Sequence, residues 1–273
     1  MKEILELARR PVVRAQGDYI QAGLLHCGLC HTPKEHWVEL LGRRRKVACL
    51  CKCQSAAAQK QREAERVKQA AEALERQIAA AVQDRSYRKW TFATDDGRSP
   101  KAVAAAKGYC KRWAEMRAQN MGLLLYGDVG RGKTFAAACI ANELASRGVP
   151  VLMARLPSLA NSMGWGDERR EFLRSLNAYD LLVLDDLGAE RDSSAMKEAV
   201  YQIVDGRYAA GKPAIFTTNL TWQEFTKPER MEDRRTYHRI LEMTVAVQAD
   251  GPDRRVEKHK AKQAAARALL LED

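Results

Sequence analysis

Apolar residues are spread unevenly along this chain, and their spacing changes character part-way through. The last two thirds carry five short, nearly continuous apolar runs, at 123–126, 151–154, 181–185, 213–217 and 244–247. Runs of that length without alternation predict strands, those at 151–154, 181–185 and 213–217 being covered on both faces. Stretches with helical character separate them, at 101–120, 135–144, 156–163, 194–209 and 233–243. Strands alternating with helices predict an α/β domain built on a parallel sheet with right-handed crossovers. Ahead of it lies a different pattern. No Gly or Pro occurs from Gln54 to Asp96, and residues 54–86 are rich in Ala, Gln, Glu, Lys and Arg. That composition predicts one long helix. Its larger aliphatic residues, Val67, Leu74, Ile78 and Val82, form a single narrow stripe. Such a helix buries little and suits a connector or a docking helix better than a core. Residues 1–22 predict one short helix, 2–9, ended by Pro11.

The loop after the first apolar run adds chemistry. Gly127-Asp128-Val129-Gly130-Arg131-Gly132-Lys133-Thr134 sits between an expected strand and an expected helix, the setting of a phosphate-binding loop. Its glycines let backbone N–H groups turn inward toward an anion. Lys133 is placed to reach the terminal phosphates, and the Thr134 hydroxyl to ligate Mg²⁺. The following helix adds a favourable dipole at its N-terminus. The third run ends in Asp185-Asp186. A buried strand of an open α/β sheet delivers such acids beside the loop, so Asp185 is expected to hold the hydrated Mg²⁺ and Asp186 to orient the attacking water. The fourth run exits at Asn219, a neutral group suited to positioning water or sensing the γ-phosphate.

Seven cysteines are present, five of them between Cys27 and Cys53. Cys27 and Cys30 form a Cys-x2-Cys knuckle, and Cys49, Cys51 and Cys53 follow after a polar stretch. Two close pairs joined by a hairpin supply the four tetrahedral ligands that Zn²⁺ needs. Cys51 and Cys53 are taken as the second pair, with Cys49 as the spare and His31 and His36 as possible substitutes. Arg43-Arg44-Arg45-Lys46 lies between the pairs, either facing DNA phosphates or forming a solvated hairpin tip.

The net charge of +11, with 46 basic against 35 acidic residues, favours a polyanionic partner. The first twenty residues lack the apolar core of a secretory signal, and no run approaches the ~18 apolar residues of a membrane span. A cytoplasmic protein without a membrane partner is the expectation.

Taken in order, these motifs resemble an AAA+ ATPase of the initiator and loader group, and most closely the DnaC/DnaI-type replicative helicase loaders. The resembling parts are Leu124–Thr134, Asp180–Gly188, Thr217–Leu220 and Tyr237–Met243, together with the cysteine cluster ending in Cys51-Lys52-Cys53-Gln54. The resemblance implies an AAA+ P-loop fold with a five-stranded parallel sheet of order 5-1-4-3-2. It implies a zinc-binding, helicase-interacting domain at 1–53, a helical connector at 54–86 and an ATPase domain at 87–273. It implies ATP, Mg²⁺ and Zn²⁺ as cofactors. As partners it implies a hexameric replicative helicase, single-stranded DNA and further copies of the chain in a ring or spiral. Carried over by motif, Asn219 resembles sensor 1, and Arg239 resembles an arginine finger reaching into a neighbour's site. Arg254 or Arg255 resembles sensor 2, with Arg255 taken. The chain ends soon after its last strand, too soon for a full helical lid. His238 stands where the group often has Asp before the finger, and Asp186 stands where many AAA+ proteins have Glu. The shorter acid implies slow turnover or switch-like use of ATP, and the arginine finger implies hydrolysis stimulated by assembly. Two other readings share these features. One is a transposition helper ATPase of the IstB type, a group without the cysteine cluster. The other is a zinc DNA-binding protein whose nucleotide site is structural.

Overall fold

The computed structural model describes residues 12–40, 42–189 and 193–271. The short helix expected at 2–9 lies outside the described residues. The chain divides into two compact units, Met1–Ala73 and Leu74–Asp273.

In the first unit, β1 (Tyr19–Gln21) pairs antiparallel with β2 (Leu24–His26), and β3 (Glu35–Leu40) pairs antiparallel with β4 (Arg43–Ala48). So small a unit buries few side chains, and a buried ion pair helps organise it. Lys34 Nζ lies 2.7 Å from Asp18 Oδ2 and also donates to the Val13 carbonyl. Asp18 accepts further from the Ala15 and Gly28 amides. The Lys34 ammonium and these donors hold its carboxyl down to about 2. The four cations Arg43–Lys46 lie within β4, so they are a strand edge and not a hairpin tip.

The long helix is α1 (Lys52–Ala81), which is exposed almost throughout. It stops five residues before the expected end although no Gly or Pro intervenes. There the chain leaves the helix to bridge Met153 from Val82, and Arg88 Nε donates to the Val82 carbonyl at 2.8 Å. Asp84 Oδ1 then accepts from the Ser86 amide, closing a turn.

In the second unit, α2 (Pro100–Lys111) and α3 (Trp113–Ala118) precede β5 (Gly122–Tyr126). The expected single helix over 101–120 is broken at Arg112. Arg147 donates to the Cys110 carbonyl at 2.7 Å, which weakens the helical ladder at that point. After α4 (Lys133–Ser146) come β6 (Val151–Arg155), α5 (Leu156–Asn161) and α6 (Gly166–Leu176). The apolar pattern predicts no element at α6, yet this helix has Asp167 and Glu168 in its first turn and Arg174 in its last, matching the helix dipole. Then follow β7 (Leu181–Leu187), α7 (Ser194–Ala209), β8 (Ala214–Thr218), α8 (Trp222–Thr226), α9 (Met231–Glu242), β9 (Thr244–Gln248) and α10 (Arg254–Leu271). The short α8 is likewise absent from the apolar pattern. A capping box between Thr221 and Glu224 starts it.

The five strands β5–β9 form one parallel sheet, β9-β5-β8-β7-β6. Counted within the unit this is the order 5-1-4-3-2. Strands β7 and β8 are buried on both faces, as their unbroken apolar runs predict. On one face α4 presents Ala136, Ala137, Ala138, Ile140 and Ala141, all fully buried. Small side chains let this helix sit close to the strands and carry its N-terminus to the sheet edge. On the other face α5, α7 and α9 cover the sheet around Leu184, Ile203, Phe216 and Ile240. Arg207 of α7 is fully buried and donates to the carbonyls of Tyr179, Asp180 and Pro213. It ties the entries of β7 and β8 together, and burial lowers its pKa to about 10.

Candidate nucleotide-binding site

Residues 127–132 leave β5 and wrap around the N-terminus of α4. Gly130 and Gly132 take φ of +80° and +83°. A Cβ at either position would collide with Asp253 or Ser99, so both positive φ and close approach demand glycine there. Lys133 Nζ donates to the Gly127 and Asp128 carbonyls at 2.7 Å each, which holds the ammonium within the loop. A cleft of about 460 Å³ opens over Gly130–Thr134 and takes in Asp186, Asn219 and Arg254. Gly127 and Asp128 line an adjoining depression beside Trp222, and Val129 is exposed on the loop's crest.

The two acids of β7 are separated by a backbone irregularity. The register with β8 shifts between Leu184 and Leu187, and Asp186 has a φ of +64°. A bulge of this kind re-aims a side chain. Asp185 stays inside the sheet, 1% exposed, while Asp186 turns into the cleft. Asp185 Oδ1 accepts from Thr134 Oγ1 at 2.9 Å and from Thr217 Oγ1 at 2.5 Å. Its Oδ2 is buried with no hydrogen-bond partner among the described residues. Burial raises the Asp185 pKa, the Thr217 hydroxyl opposes this, and Asp186 adds to it. A buried carboxylate with an unsatisfied oxygen beside a threonine hydroxyl fits a hard divalent cation, so Thr134 and Asp185 suit Mg²⁺. Thr217 also accepts from the Asp186 amide at 3.1 Å, linking β8 to both acids. Arg155, at the end of β6, holds Asp186 Oδ2 from Nη2 at 2.9 Å.

Two aromatic residues at the cleft carry no sequence signal that assigns them to it. Trp90 and Phe135 line it with ring centroids 5.8 Å apart. Arg254 lies over the Phe135 ring and meets Asp96 at 2.7 Å, and its Nε is buried without a hydrogen-bond partner among the described residues. Among the described residues, Arg131 and Arg254 are the arginines that line the cleft. The side chain of Arg255, the residue taken from sequence, lies outside the described residues. Arg254 is the first residue of a helix that no hydrophobic pattern announces, so the choice between adjacent arginines has no signal to settle it. Arg239 is not at the cleft of its own chain. It lies over the Tyr208 ring at 4.2 Å and pairs with Asp205 at 3.3 Å, half-exposed.

The first unit gathers a second set of groups. The sulfurs of Cys27, Cys30, Cys51 and Cys53 all lie within 4.8 Å of one another. Thr32 joins the halves, with its Oγ1 against Cys30 Sγ and accepting from the Lys52 amide. Hydrogen bonds from the Thr32 side chain and the Cys53 amide lower the Cys30 pKa to about 5, while Cys51 and Cys27 push Cys53 up to about 12. Cys49 is turned away, its thiol on the Pro33 carbonyl. Four converging thiols are a donor set that fits tetrahedral Zn²⁺. Neither His31 nor His36 belongs to the cluster.

Comparison with known proteins bears on the α/β unit and its cleft. Residues 54–262 match the IstB-like ATP binding protein family. The replicative helicase loader DnaC of Escherichia coli (strain K12) is 32% identical over 140 residues, 49% of this chain and 56% of the relative. The replicative helicase loader DnaI of Bacillus subtilis (strain 168) is 31% identical over 151 residues, 50% of this chain and 48% of the relative. The chain thus spans about half the length of these curated relatives. A crystal structure of DnaI superposes with a TM-score of 0.53 at 29% identity, covering 66% of this chain and 99% of that one. The α/β unit has the AAA+ fold of that protein. With a phosphate loop, paired acids and a match over residues 54–262, the chain belongs to the IstB-like ATP-binding protein family.

Proposed function

We propose that this chain is an ATP-dependent loader that holds a replicative DNA helicase and delivers it to single-stranded DNA. What supports this most is the joining of a nucleotide cleft in one unit to a separate cysteine unit through α1. The relatives named as helicase loaders point the same way. In this reading residues 1–53 grip the helicase, 54–86 connect, and 87–273 bind and hydrolyse ATP. The amides of Gly127, Asp128, Val129, Gly130, Arg131 and Gly132 cradle the phosphates, and Lys133 balances their charge. Thr134 and Asp185 would hold Mg²⁺, which supplies charge neutralisation at the phosphates. Asp186 orients water once Arg155 releases it, Asn219 senses the terminal phosphate, and Arg254 takes the sensor role given to Arg255. Trp90 and Phe135 offer an apolar wall for the base. Arg239 serves a neighbouring copy in an assembled ring or spiral, because it stands apart from its own cleft. Hydrolysis is then slow in isolation and faster on assembly. A cytoplasmic setting goes with this role, and no helix among the described residues is long and apolar enough to cross a membrane.

One observation favours a second reading. The matching family is that of IstB-like ATP binding proteins, and a putative ATP-binding protein in an insertion sequence of Mycobacterium tuberculosis is 30% identical over 152 residues, as a transposition helper ATPase would be. A retention experiment with the immobilised chain and purified hexameric replicative helicase separates the two. The loader reading expects retention by the wild type and by Lys133→Ala, which loses ATP binding, and loss of retention in Cys27→Ser. No retention of helicase by the wild type, with capture of a transposase instead, would overturn it.

A further inference from the structure

The cationic run Arg43–Lys46 has no part in the nucleotide cleft or the cysteine cluster, yet the structure gives it a definite setting. In the β3–β4 ribbon, Trp37 pairs with Lys46 and Glu39 with Arg44. Side chains alternate across a strand, so Trp37, Arg44 and Lys46 share one face, while Arg43 and Arg45 lie on the other beside Val38. Trp37 is 45% exposed. The Arg44 guanidinium lies 5.6 Å and the Lys46 ammonium 5.3 Å from its ring centroid. Both cations and the two other arginines of β4 are exposed. The two carboxylates on Trp37's face are Glu35, which accepts from the Leu25 amide, and Glu39, opposite Arg44. Four cations against two acids leave the ribbon positive.

We infer that this ribbon is a binding site for single-stranded nucleic acid, with Trp37 stacking an unpaired base and Arg44 and Lys46 meeting the adjoining phosphates. Three features argue for that ligand. A flat indole at the surface offers a face that every unpaired base can stack on, whatever the sequence. Cations placed a few ångströms from the ring match the distance between a base and its own phosphate backbone. Cations on both faces of a thin ribbon let a flexible polyanion follow it, which a rigid duplex cannot do. An acidic peptide would use the cations but has no need of the ring. The site adds a DNA contact to the loader reading and does not depend on the helicase or on ATP.

The test uses the full-length, zinc-loaded chain and a fluorescein-labelled oligo(dT) of twenty nucleotides, without nucleotide, across a salt series. Anisotropy of the labelled strand and tryptophan quenching are both read. Trp37→Ala is expected to weaken binding about tenfold, as loss of one stacked base does, and Trp37→Phe to restore most of it. Arg44→Ala with Lys46→Ala is expected to flatten the slope of log K against log salt by roughly 1.4, two phosphates at 0.7 each. Unchanged zinc content in each variant shows that the ribbon is intact. Wild-type affinity and salt slope in all variants would overturn the proposal. So would an affinity lost with Arg44 and Lys46, kept by Trp37→Ala, and competed equally by poly-glutamate, which would mark an acidic protein's docking surface. A chain that binds oligo(dT) through Trp37 but retains no helicase would sink the loader reading and leave this one standing.

Discussion

Thr217 of β8 touches both acids of β7, and replacing it tests the logic of the cleft. Valine has nearly the shape of threonine, so Thr217→Val removes a hydroxyl and little else. Two bonds disappear. One is the 2.5 Å bond donated to Asp185 Oδ1, and the other is the 3.1 Å bond accepted from the Asp186 amide. A hydrogen bond to a charged group contributes about 1.5–3 kcal/mol, and a donor stripped of its partner costs about 1 kcal/mol more. The second cost is the smaller because Asp186 is only half-buried and its amide can meet water. The expected loss is about 2–4 kcal/mol, or roughly 5–10 °C of melting temperature for a unit of this size. The hydroxyl also opposes the rise of the Asp185 pKa. Without it the carboxylate is harder to ionise, so Mg²⁺-dependent nucleotide binding weakens while Mg²⁺-free binding holds. Melting by circular dichroism, with and without Mg²⁺ and a fluorescent ATP analogue, reads both effects. Thr217→Ser keeps the hydroxyl and is expected to behave like the wild type in the binding assay. If Thr217→Val melts within about 1 °C of the wild type and binds Mg²⁺-nucleotide equally well, the account of Asp185 as a cation ligand held by β8 is wrong.

Other outcomes follow from the same geometry. Arg239→Ala is expected to bind ATP normally and to lose the rise of hydrolysis with protein concentration; equal rates at high concentration would argue against a site shared between copies. Cys27→Ser is expected to lose one equivalent of zinc by metal analysis, whereas Cys49→Ser retains it, since the Cys49 thiol points at Pro33. Arg207→Met removes the donor to three buried carbonyls and is expected to cost about 3–5 kcal/mol in urea unfolding, with ATP affinity of the folded protein unchanged; a cost below about 1 kcal/mol would mean water replaces the guanidinium.

The strands, their parallel pairing and the position of the loop are legible in the sequence, because continuous apolar runs such as 181–185 and 213–217 can be buried only in a sheet covered on both faces; the last run forms the edge strand β9, where Val245 is exposed. The spacing of Gly127–Thr134 carries its own chemistry, since backbone amides and one lysine make an anion site wherever a strand leads into a helix. Spacing narrows the choice of four cysteines, but only the direction of the Cys49 thiol, onto the Pro33 carbonyl, excludes it. What stays hidden depends on contacts between distant residues. Arg147 meets the Cys110 carbonyl beside the break at Arg112, and Val82 bridges Met153 and accepts from Arg88 where α1 ends. The divergence of Asp185 and Asp186 comes from a register shift against β8 that no local pattern encodes. Arg254 reaches the cleft because α10 starts there, and Arg44 and Lys46 reach Trp37 because a cross-strand register sets them beside it. Local sequence determines which segments must be buried and which loops can bind an anion, since periodicity and backbone freedom are local properties. Which charged side chain meets which partner is decided by tertiary structure, because a long side chain is placed by the elements that pack around it.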